Sequence, residues 1–280
     1  RILSSAASDV YKRQCFFFKR FEWKMESSVS NQVNFSEKEL MKYSRNIMLT
    51  DIGVEGQKLL KNSTVTIIGV GGLGCACSQY LVASGIGNLN LFDPDQVDLS
   101  NLQRQILFRE EDLNAFKVDA AVTSLLRLNP DVNIKKFRQS FEKNSVPDEI
   151  TKSEIVIDCS DNFETRRYTN NFCYKNKIPL ISGSCIQWKG QLMKFDFQND
   201  SACYECLFED TSSEDLSCTE SAIFSPIVGI IGSMLASESI KTITKISKNC
   251  QIFHDYDFKD NLSRKISFKK NNQCKICGKC

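Results

Sequence analysis

A strand followed by a glycine-rich turn and a helix is the sequence feature that most restricts the fold. Residues 65–68 (VTII) are all β-branched, as expected for a short buried strand. They run into Gly69, Gly71 and Gly74, which fit the pattern G-x-G-x-x-G, and residues 73–84 read as a helix. Because the first N–H groups of a helix have no intrahelical partners, this turn predicts a binding site for a phosphate.

Strands and helices then alternate along the chain, which predicts a parallel sheet built from βαβ units. The predicted strands are short apolar runs at residues 65–68, 89–92, 155–158 and 180–182. The predicted helices between them cover residues 73–84, 117–128 and 164–174. Another helix is expected near the start of the chain, where Ser36 and Glu39 fit a capping box.

The last third of the sequence departs from this alternation. Residues 191–197 are apolar at every second position, which predicts a half-buried antiparallel strand. Residues 227–246 suit a packed core helix, and late strands are expected at residues 251–253 and 265–268. The predicted fold class is therefore α/β: a Rossmann-like, mostly parallel sheet with flanking helices and C-terminal antiparallel strands.

Composition limits the domain organisation and the classes of partner. The chain has 280 residues, and its net charge of +2 argues against nucleic-acid binding through bulk electrostatics. No apolar run approaches the roughly 20 residues that span a bilayer, so a membrane is not an expected partner either. Residues 1–34 are expected to be a disordered or non-native leader, since the first methionine is Met25. Residues 35–280 are expected to form a single domain.

Thirteen cysteines include two C-x-x-C pairs, Cys203/Cys206 and Cys274/Cys277. This spacing lets two thiolates of each pair bind one tetrahedral ion, so we predict a structural Zn²⁺ knuckle in a C-terminal extension of the domain. Cys280 offers a second spacing with Cys277, which leaves the fourth ligand open. A redox dithiol would need a thioredoxin-like setting that the sequence lacks. Because the close-spaced cysteines indicate metal rather than disulfides and no convincing signal peptide is found, a reducing compartment is expected: the cytoplasm, with an organelle of bacterial descent as the alternative.

Charged residues after the second predicted strand bear on the choice of nucleotide. Asp93 ends that strand, where a carboxylate accepts hydrogen bonds from the ribose of either NAD or ATP. Arg104 follows, and Lys117 opens the next helix. Two cations exceed what a dinucleotide pyrophosphate needs, and they suit a triphosphate whose α-phosphorus is attacked. ATP is therefore the predicted ligand.

Two further residues bear on the chemistry. Asp161 comes just after the strand at residues 155–158, and its carboxylate is suited to hold Mg²⁺; the alternative role is a helix N-cap assisted by Glu164. His254 is the only histidine, which argues against most Ser-His-Asp and Cys-His mechanisms.

Six motifs in chain order resemble the ThiF/MoeB family, the bacterial relatives of ubiquitin-activating enzymes: GVGGLG, LFDPD, SNLQRQILF, DCSDN, CYEC and LSCTE. The resemblance covers residues 35–280. It implies an enzyme that uses Mg-ATP to adenylate the C-terminal glycine of a ubiquitin-like sulfur carrier ending in Gly-Gly. That carrier would be ThiS- or MoaD-like, in thiamine or molybdopterin biosynthesis, and the motifs slightly favour the thiamine members.

The resemblance also implies roles for individual residues. The glycine turn (with Gly71 and Gly72 nearest) and the segment after it would hold the nucleotide, through Gly69, Gly71, Gly72, Gly74, Asp93, Asn101, Arg104 and Lys117. Asp161 would bind the metal. Arg45 would reach the ATP site of the partner protomer, which implies a homodimer. Cys218 would link to the carrier or relay sulfur, and the alternative is an exposed loop thiol; a separate sulfurtransferase or cysteine desulfurase would supply the sulfur.

Other functions remain open from the sequence alone. An NAD-dependent oxidoreductase fits the glycine turn, but it leaves Arg104 and the four paired cysteines unexplained. A non-catalytic binding module would keep the fold, although intact Arg104, Lys117 and Asp161 argue against it. Within the same family, a carrier used in tRNA thiolation is an alternative substrate.

Overall fold

The computed structural model describes residues 35–143, 145–197, 201–208, 222–247 and 251–278. Strands β1 to β8 are Thr64–Ile68, Asn88–Phe92, Asn133–Phe137, Ile155–Asp158, Leu180–Ile186, Lys189–Phe195, Gln251–Asp257 and Leu262–Lys265. Helices α1 to α6 are Glu37–Ile47, Gly53–Asn62, Gly72–Ala83, Lys117–Leu128, Phe163–Asn176 and Ser225–Ile243. No helix among these residues is both long enough and apolar enough to span a bilayer.

All eight strands join one sheet in the order β3-β2-β1-β4-β5-β6-β7-β8. The β3–β2, β2–β1, β1–β4 and β4–β5 pairs are parallel. The β5–β6, β6–β7 and β7–β8 pairs are antiparallel. This arrangement confirms the predicted fold class. The chain builds outward from β1 to β3 and then returns to the other side of β1 with β4. In open α/β sheets, ligands bind outside the carboxyl ends of the strands at such a reversal.

Alternate residues of the central strands pack into two apolar clusters, one on each face of the sheet. Ile155 and Ile157 of β4 belong to one cluster, which also contains residues of α3, α4 and α6. Val156, between them, belongs to the other cluster, together with Cys173 of α5. Because successive strand residues point to opposite faces, the sheet is buried on both sides. That explains why its strands read as continuous apolar runs rather than as alternating ones.

Helices α1 and α3 each have one end with well-defined capping bonds. At the start of α1, the Ser36 N–H donates to Glu39 Oε2 at 2.9 Å, and the Glu39 N–H donates to Ser36 Oγ at 3.3 Å, which confirms the capping box. At the end of α3, Gly85 takes φ +84°. The Gly85 N–H donates to Val82 O and the Ile86 N–H to Leu81 O, which makes this end a Schellman motif.

The chain divides into two compact units, Arg1–Met41 and Lys42–Cys280, and the second contains the whole sheet. The leader predicted at residues 1–34 lies outside the described residues. The bounds predicted for the last strand, residues 265–268, are wrong, since β8 is Leu262–Lys265. Helix α2 and strand β3 had no sequence prediction.

Candidate functional site

A cavity of about 580 Å³ opens at the carboxyl ends of β1, β2 and β4, where the strand order reverses. Its walls come from the turn after β1, the segments that follow β2, β3 and β4, and the start of α6. The cavity brings together most of the predicted site residues: Gly69, Gly71, Gly72, Asp93, Asn101, Arg104, Lys117 and Asp161. Side chains distant in sequence therefore meet in one place.

The glycine turn lets α3 start against the end of β1. Gly69 has φ +88°, and a Cβ there would lie 2.8 Å from Cys159 O. A Cβ on Gly74 would lie 2.0 Å from Gly69 O, so a side chain at this position is sterically excluded. Gly74 does not line the cavity, and it serves the turn through this close approach. The open N–H groups at the start of α3 therefore face the cavity as a cradle for an anion.

Asp93 is buried at the end of β2 and is held by backbone donors. Its Oδ2 accepts the Val70 N–H at 2.7 Å, and its Oδ1 accepts the Asp95 N–H at 2.9 Å. Burial raises the pKa of the Asp93 carboxyl, while the Lys117 ammonium at 3.9 Å and the two N–H donors act in the opposite direction. The carboxylate is thus fixed beside the glycine turn, in the position expected of a ribose acceptor.

Lys117 is the first residue of α4, and its side chain is only 9% exposed. Its Nζ donates to Asp95 Oδ2 at 2.7 Å and lies near Asp93. The cation expected to contact phosphate is therefore held by two carboxylates. Sequence reasoning gave Asp95 no role, although its position two residues after Asp93 was a usable signal.

Arg104 lies on the loop between β2 and α4. Its Nη1 donates to Ser100 O at 3.0 Å, which ties the side chain back to its own loop. Asp98 caps the short 3₁₀ turn Leu99–Asn101 by accepting the Ser100 N–H at 2.8 Å. These local bonds present Arg104 and Asn101 on the cavity wall.

Asp161 lies in the loop after β4, and its side chain is exposed. The alternative role predicted for it, as the N-cap of the following helix, is wrong. Asn162 is the N-cap of α5, and its Oδ1 accepts the Thr165 N–H at 2.9 Å. Because the short amide side chain supplies the cap, the Asp161 carboxylate stays on the cavity wall, where a hard oxygen ligand suits Mg²⁺.

A buried ion pair that sequence reasoning missed lies beneath this loop. Asp158 ends β4 and accepts bonds from the Ser160 N–H at 3.0 Å and from Ser182 Oγ at 3.0 Å. Arg166 of α5 lies 3.4 Å from Asp158 Oδ2 and donates to Gly183 O at 2.9 Å. The pair fixes the loop that carries Asp161, and Arg166 itself forms part of the cavity wall.

The two C-x-x-C pairs form one cluster. The four sulfur atoms of Cys203, Cys206, Cys274 and Cys277 lie within 4.8 Å of one another. Cys203 and Cys274 are 3.6 Å apart, and Cys206 and Cys277 are 3.2 Å apart. Zn–S bonds of about 2.3 Å in a tetrahedron put sulfurs roughly 3.8 Å apart, so the cluster fits zinc. Cys280 lies outside the described residues, and these four sulfurs already complete the set.

Two other described residues considered from sequence do not line the cavity. Arg45 is exposed on α1 and is not part of the cavity wall. His254 is on β7, and its pKa is lowered first by burial and then by Lys265. Cys218 lies outside the described residues.

Comparisons with known proteins agree with this geometry. The ThiF family matches residues 43–276. The molybdopterin-synthase adenylyltransferase of Escherichia coli (strain K12) is 37% identical, over 87% of this chain and 98% of that protein. The sulfur carrier protein ThiS adenylyltransferase of the same strain is 36% identical, over 87% and 97%. In a crystal structure of E. coli MccB with AMPCPP and MccA, the fold aligns with a TM-score of 0.74 at 25% identity, over 85% of this chain and 74% of that one.

Proposed function

The chain belongs to the ThiF family, and from this premise we propose that it is an ATP-dependent adenylyltransferase. Its substrate would be the C-terminal glycine of a small ubiquitin-like sulfur carrier. The observation that carries the proposal is the single cavity that joins the glycine turn, Asp93, Arg104, Lys117 and Asp161. The relatives reported above are named adenylyltransferases, which favours ATP over NAD as the nucleotide.

The proposed reaction needs no general base. A C-terminal carboxylate has a pKa of about 3.3–3.7, so it is already ionised at neutral pH. One of its oxygens attacks the α-phosphorus of ATP, the bond to the leaving pyrophosphate breaks, and an acyl-adenylate forms. The described cavity lining contains no histidine, which agrees with a reaction that moves no proton.

Arg104 and Lys117 would supply the charge that the triphosphate requires. An ammonium group has three donors, so Lys117 can keep its bond to Asp95 and still donate to a phosphate oxygen. The Arg104 guanidinium has five N–H donors, so it would bind a phosphate oxygen either while it keeps its bond to Ser100 O or after it releases that bond. Both act by holding negative charge that shifts toward pyrophosphate as the bond breaks.

Asp161 would hold Mg²⁺, which would neutralise part of the triphosphate charge. The four clustered cysteines would hold a structural Zn²⁺ that ties the C-terminal segment to the loop after β6.

Metal analysis of purified protein tests the zinc assignment: Cys203→Ser should lose most of the zinc and lower the melting temperature. Cys173→Ala, a buried cysteine outside the cluster, should keep its zinc. Wild-type protein that folds without zinc would contradict it.

Further features of the proposal come from the same family relationship. The two relatives, at 37% and 36% identity, are named for molybdopterin synthase and for the sulfur carrier protein ThiS, so the preference for a thiamine-type carrier stays a prediction. We also propose a homodimer in which Arg45 serves the partner's cavity, and a separate enzyme that supplies sulfur. A covalent or relay role for Cys218 belongs to the same proposal.

ATP–pyrophosphate exchange tests the function directly. Wild-type protein should catalyse exchange when a Gly-Gly-ended carrier is present, and Lys117→Ala should lower the rate by about 100-fold or more, because a buried phosphate-binding cation is lost. Lys135→Ala is the matched control, since Lys135 is half-exposed on β3 and pairs with Glu149. Binding of NAD⁺ without any binding of ATP would reject the proposal.

A further inference from the structure

Gln105 carries a buried amide that no described residue satisfies. The residue is only 4% exposed, and its Oε1 has no hydrogen-bond partner among the described residues. A buried amide in a folded protein is normally paired, because leaving it unpaired forfeits its bonds to water. The exception at Gln105 therefore needs a physical reason.

The position of Gln105 separates it from the other unpaired groups. Four side chains in the described part of the chain have a buried polar atom with neither a hydrogen-bond nor an ion-pair partner: Gln57, Gln105, Thr169 and Asn170. Of these four, Gln105 alone lines the cavity. Gln57 satisfies the other half of its amide by donating to Ser84 O at 2.7 Å, and Asn170 does so by accepting the Tyr204 N–H at 3.0 Å. Within the described residues, neither amide atom of Gln105 has such a bond.

The backbone holds Gln105 in place over the glycine turn. Its N–H donates to Asn101 O at 2.9 Å, and its carbonyl oxygen accepts the Phe108 N–H at 3.0 Å. Its Nε2 lies 3.8 Å from the position that a Cβ on Gly71 would occupy. Gly71 is the N-cap of α3, so the amide lies beside the open N–H groups at the start of this 12-residue helix.

We propose that Gln105 is an uncharged phosphate-binding residue, whose Nε2 donates to the nucleotide phosphate held at the start of α3. The assignment rests on the proposed function. Phosphate oxygens only accept hydrogen bonds, so the ligand selects the orientation of the amide that presents nitrogen. The nucleotide thus supplies an acceptor for Nε2 that the described protein residues do not, and Gln105 adds a directional donor to the charges of Arg104 and Lys117.

Calorimetric titration of the full chain with ATP and with adenosine tests this assignment. Gln105→Met keeps the side-chain length and removes the amide, so it should weaken ATP binding about 10-fold or more, as expected for loss of a hydrogen bond to a charged group. Its adenosine affinity should not change. Gln103→Met is the matched control, because Gln103 is exposed on the same loop and does not line the cavity.

Thermal unfolding separates ligand binding from a structural role. Because the amide has no partner in the protein, Gln105→Met should melt at the wild-type temperature or above it when nucleotide is absent. Gln105→Glu, which places a carboxylate beside the phosphate, should bind ATP more weakly than Gln105→Met. Equal ATP affinity for wild type and Gln105→Met, or a parallel loss of adenosine affinity, overturns the inference. Failure of the wild-type protein itself to bind ATP would instead reject the proposed function.

Discussion

Buried charges at single positions are stabilised in two ways in this molecule. Asp93 depends on backbone donors, the N–H groups of Val70 and Asp95, because it must leave lone pairs for a ligand. Asp158 is paired with the Arg166 guanidinium and also accepts a hydrogen bond from Ser182 Oγ, so its partners all lie within the protein. Asp93 faces the cavity, and its counterion Lys117, 3.9 Å away, is bonded more closely to Asp95, so this carboxylate remains available to bind a ligand.

Glu238 is a third buried carboxylate, remote from the cavity. Burial alone would raise its pKa, but hydrogen bonds from Lys241 and Ser247, together with the charges of Lys241 and Lys194, hold the pKa of Glu238 below its usual value of 4.5. Lys194 Nζ lies 3.3 Å from its Oε1, and both side chains are almost fully buried. With a folded pKa below the unfolded one, this carboxylate stabilises the protein above about pH 4.5, and the effect is lost as the pH falls through the folded pKa.

We expect Glu238→Gln to lower the free energy of unfolding at pH 7 by about 3 kcal/mol, because it leaves the Lys194 ammonium buried without a counterion. Urea titrations from pH 7 to pH 3 should show this difference shrinking below about pH 4.5. His254 also faces the cluster, but both proteins contain it and its effect cancels in the comparison.

Glu55→Gln is the control for Glu238→Gln, since Glu55 pairs with Lys58 at an exposed site. It should change stability by less than about 1 kcal/mol at any of these pH values. A Glu238→Gln protein as stable as wild type at pH 7 would contradict the assigned role.

The interface of α3 with α6 brings the start of α6 to the cavity wall. A Cβ on Gly232 of α6 would lie 2.6 Å from Leu73 O and 2.8 Å from Ala76 Cβ. The two helices can therefore approach closely only because this position has no side chain. Val228 and Ile223, near the start of α6, form part of the cavity wall as a result.

Two alanine substitutions in α6 test this close approach. Gly232→Ala should lower the free energy of unfolding by about 1–3 kcal/mol, since the new methyl group overpacks the interface. Gly229→Ala on the same helix should raise it by up to about 1 kcal/mol, because alanine is the better helix former and no atom lies within 4 Å of the new Cβ. Denaturant unfolding measures both, and equal effects of the two changes would disprove the packing argument.

Which elements the sequence predicted depended on their burial. Strands β1 and β4 and helix α4 carry strong apolar patterns, and they were found within one residue of their bounds. Strand β3, with the sequence NIKKF, is an edge strand with exposed lysines, so no apolar signal marked it. Helix α2 contains two glycines, Gly53 and Gly56, which lower its helix propensity, and sequence reasoning made no prediction for it. The cavity wall after β3, with Gln139 and Ser140, was missed for the same reason as the strand itself.

The sequence predicted only some residues of the candidate site. It identified the glycines and charged residues that stand in recognisable motifs, because the spacing of these residues along the chain carries the signal. Gln105 stood inside the quoted motif SNLQRQ without a role, since nothing in a sequence shows that an amide is buried and unpaired. The Asp158–Arg166 pair also depends on tertiary contacts that spacing alone does not reveal.

Arg45 lies on the surface of α1 and outside the cavity of its own chain. In the proposed homodimer, this cation would serve the ATP site of another copy. A symmetric dimer has two equivalent sites, and here each would be completed by the partner's Arg45. Arg45→Ala and Lys117→Ala should each be inactive alone, for different reasons.

Mixing these two variants distinguishes an intermolecular role of Arg45 from an intramolecular one. After subunit exchange at equal concentrations, a mixed dimer has one site with both defects and one site with neither. Pyrophosphate exchange should therefore recover to about a quarter of the wild-type rate, because half of the dimers are mixed and one of their two sites is intact. Arg127→Ala, which alters an exposed arginine on α4, should stay active without mixing. If Arg45 acted on its own cavity, each mixed dimer would carry one defect in each site, and the mixture would remain inactive.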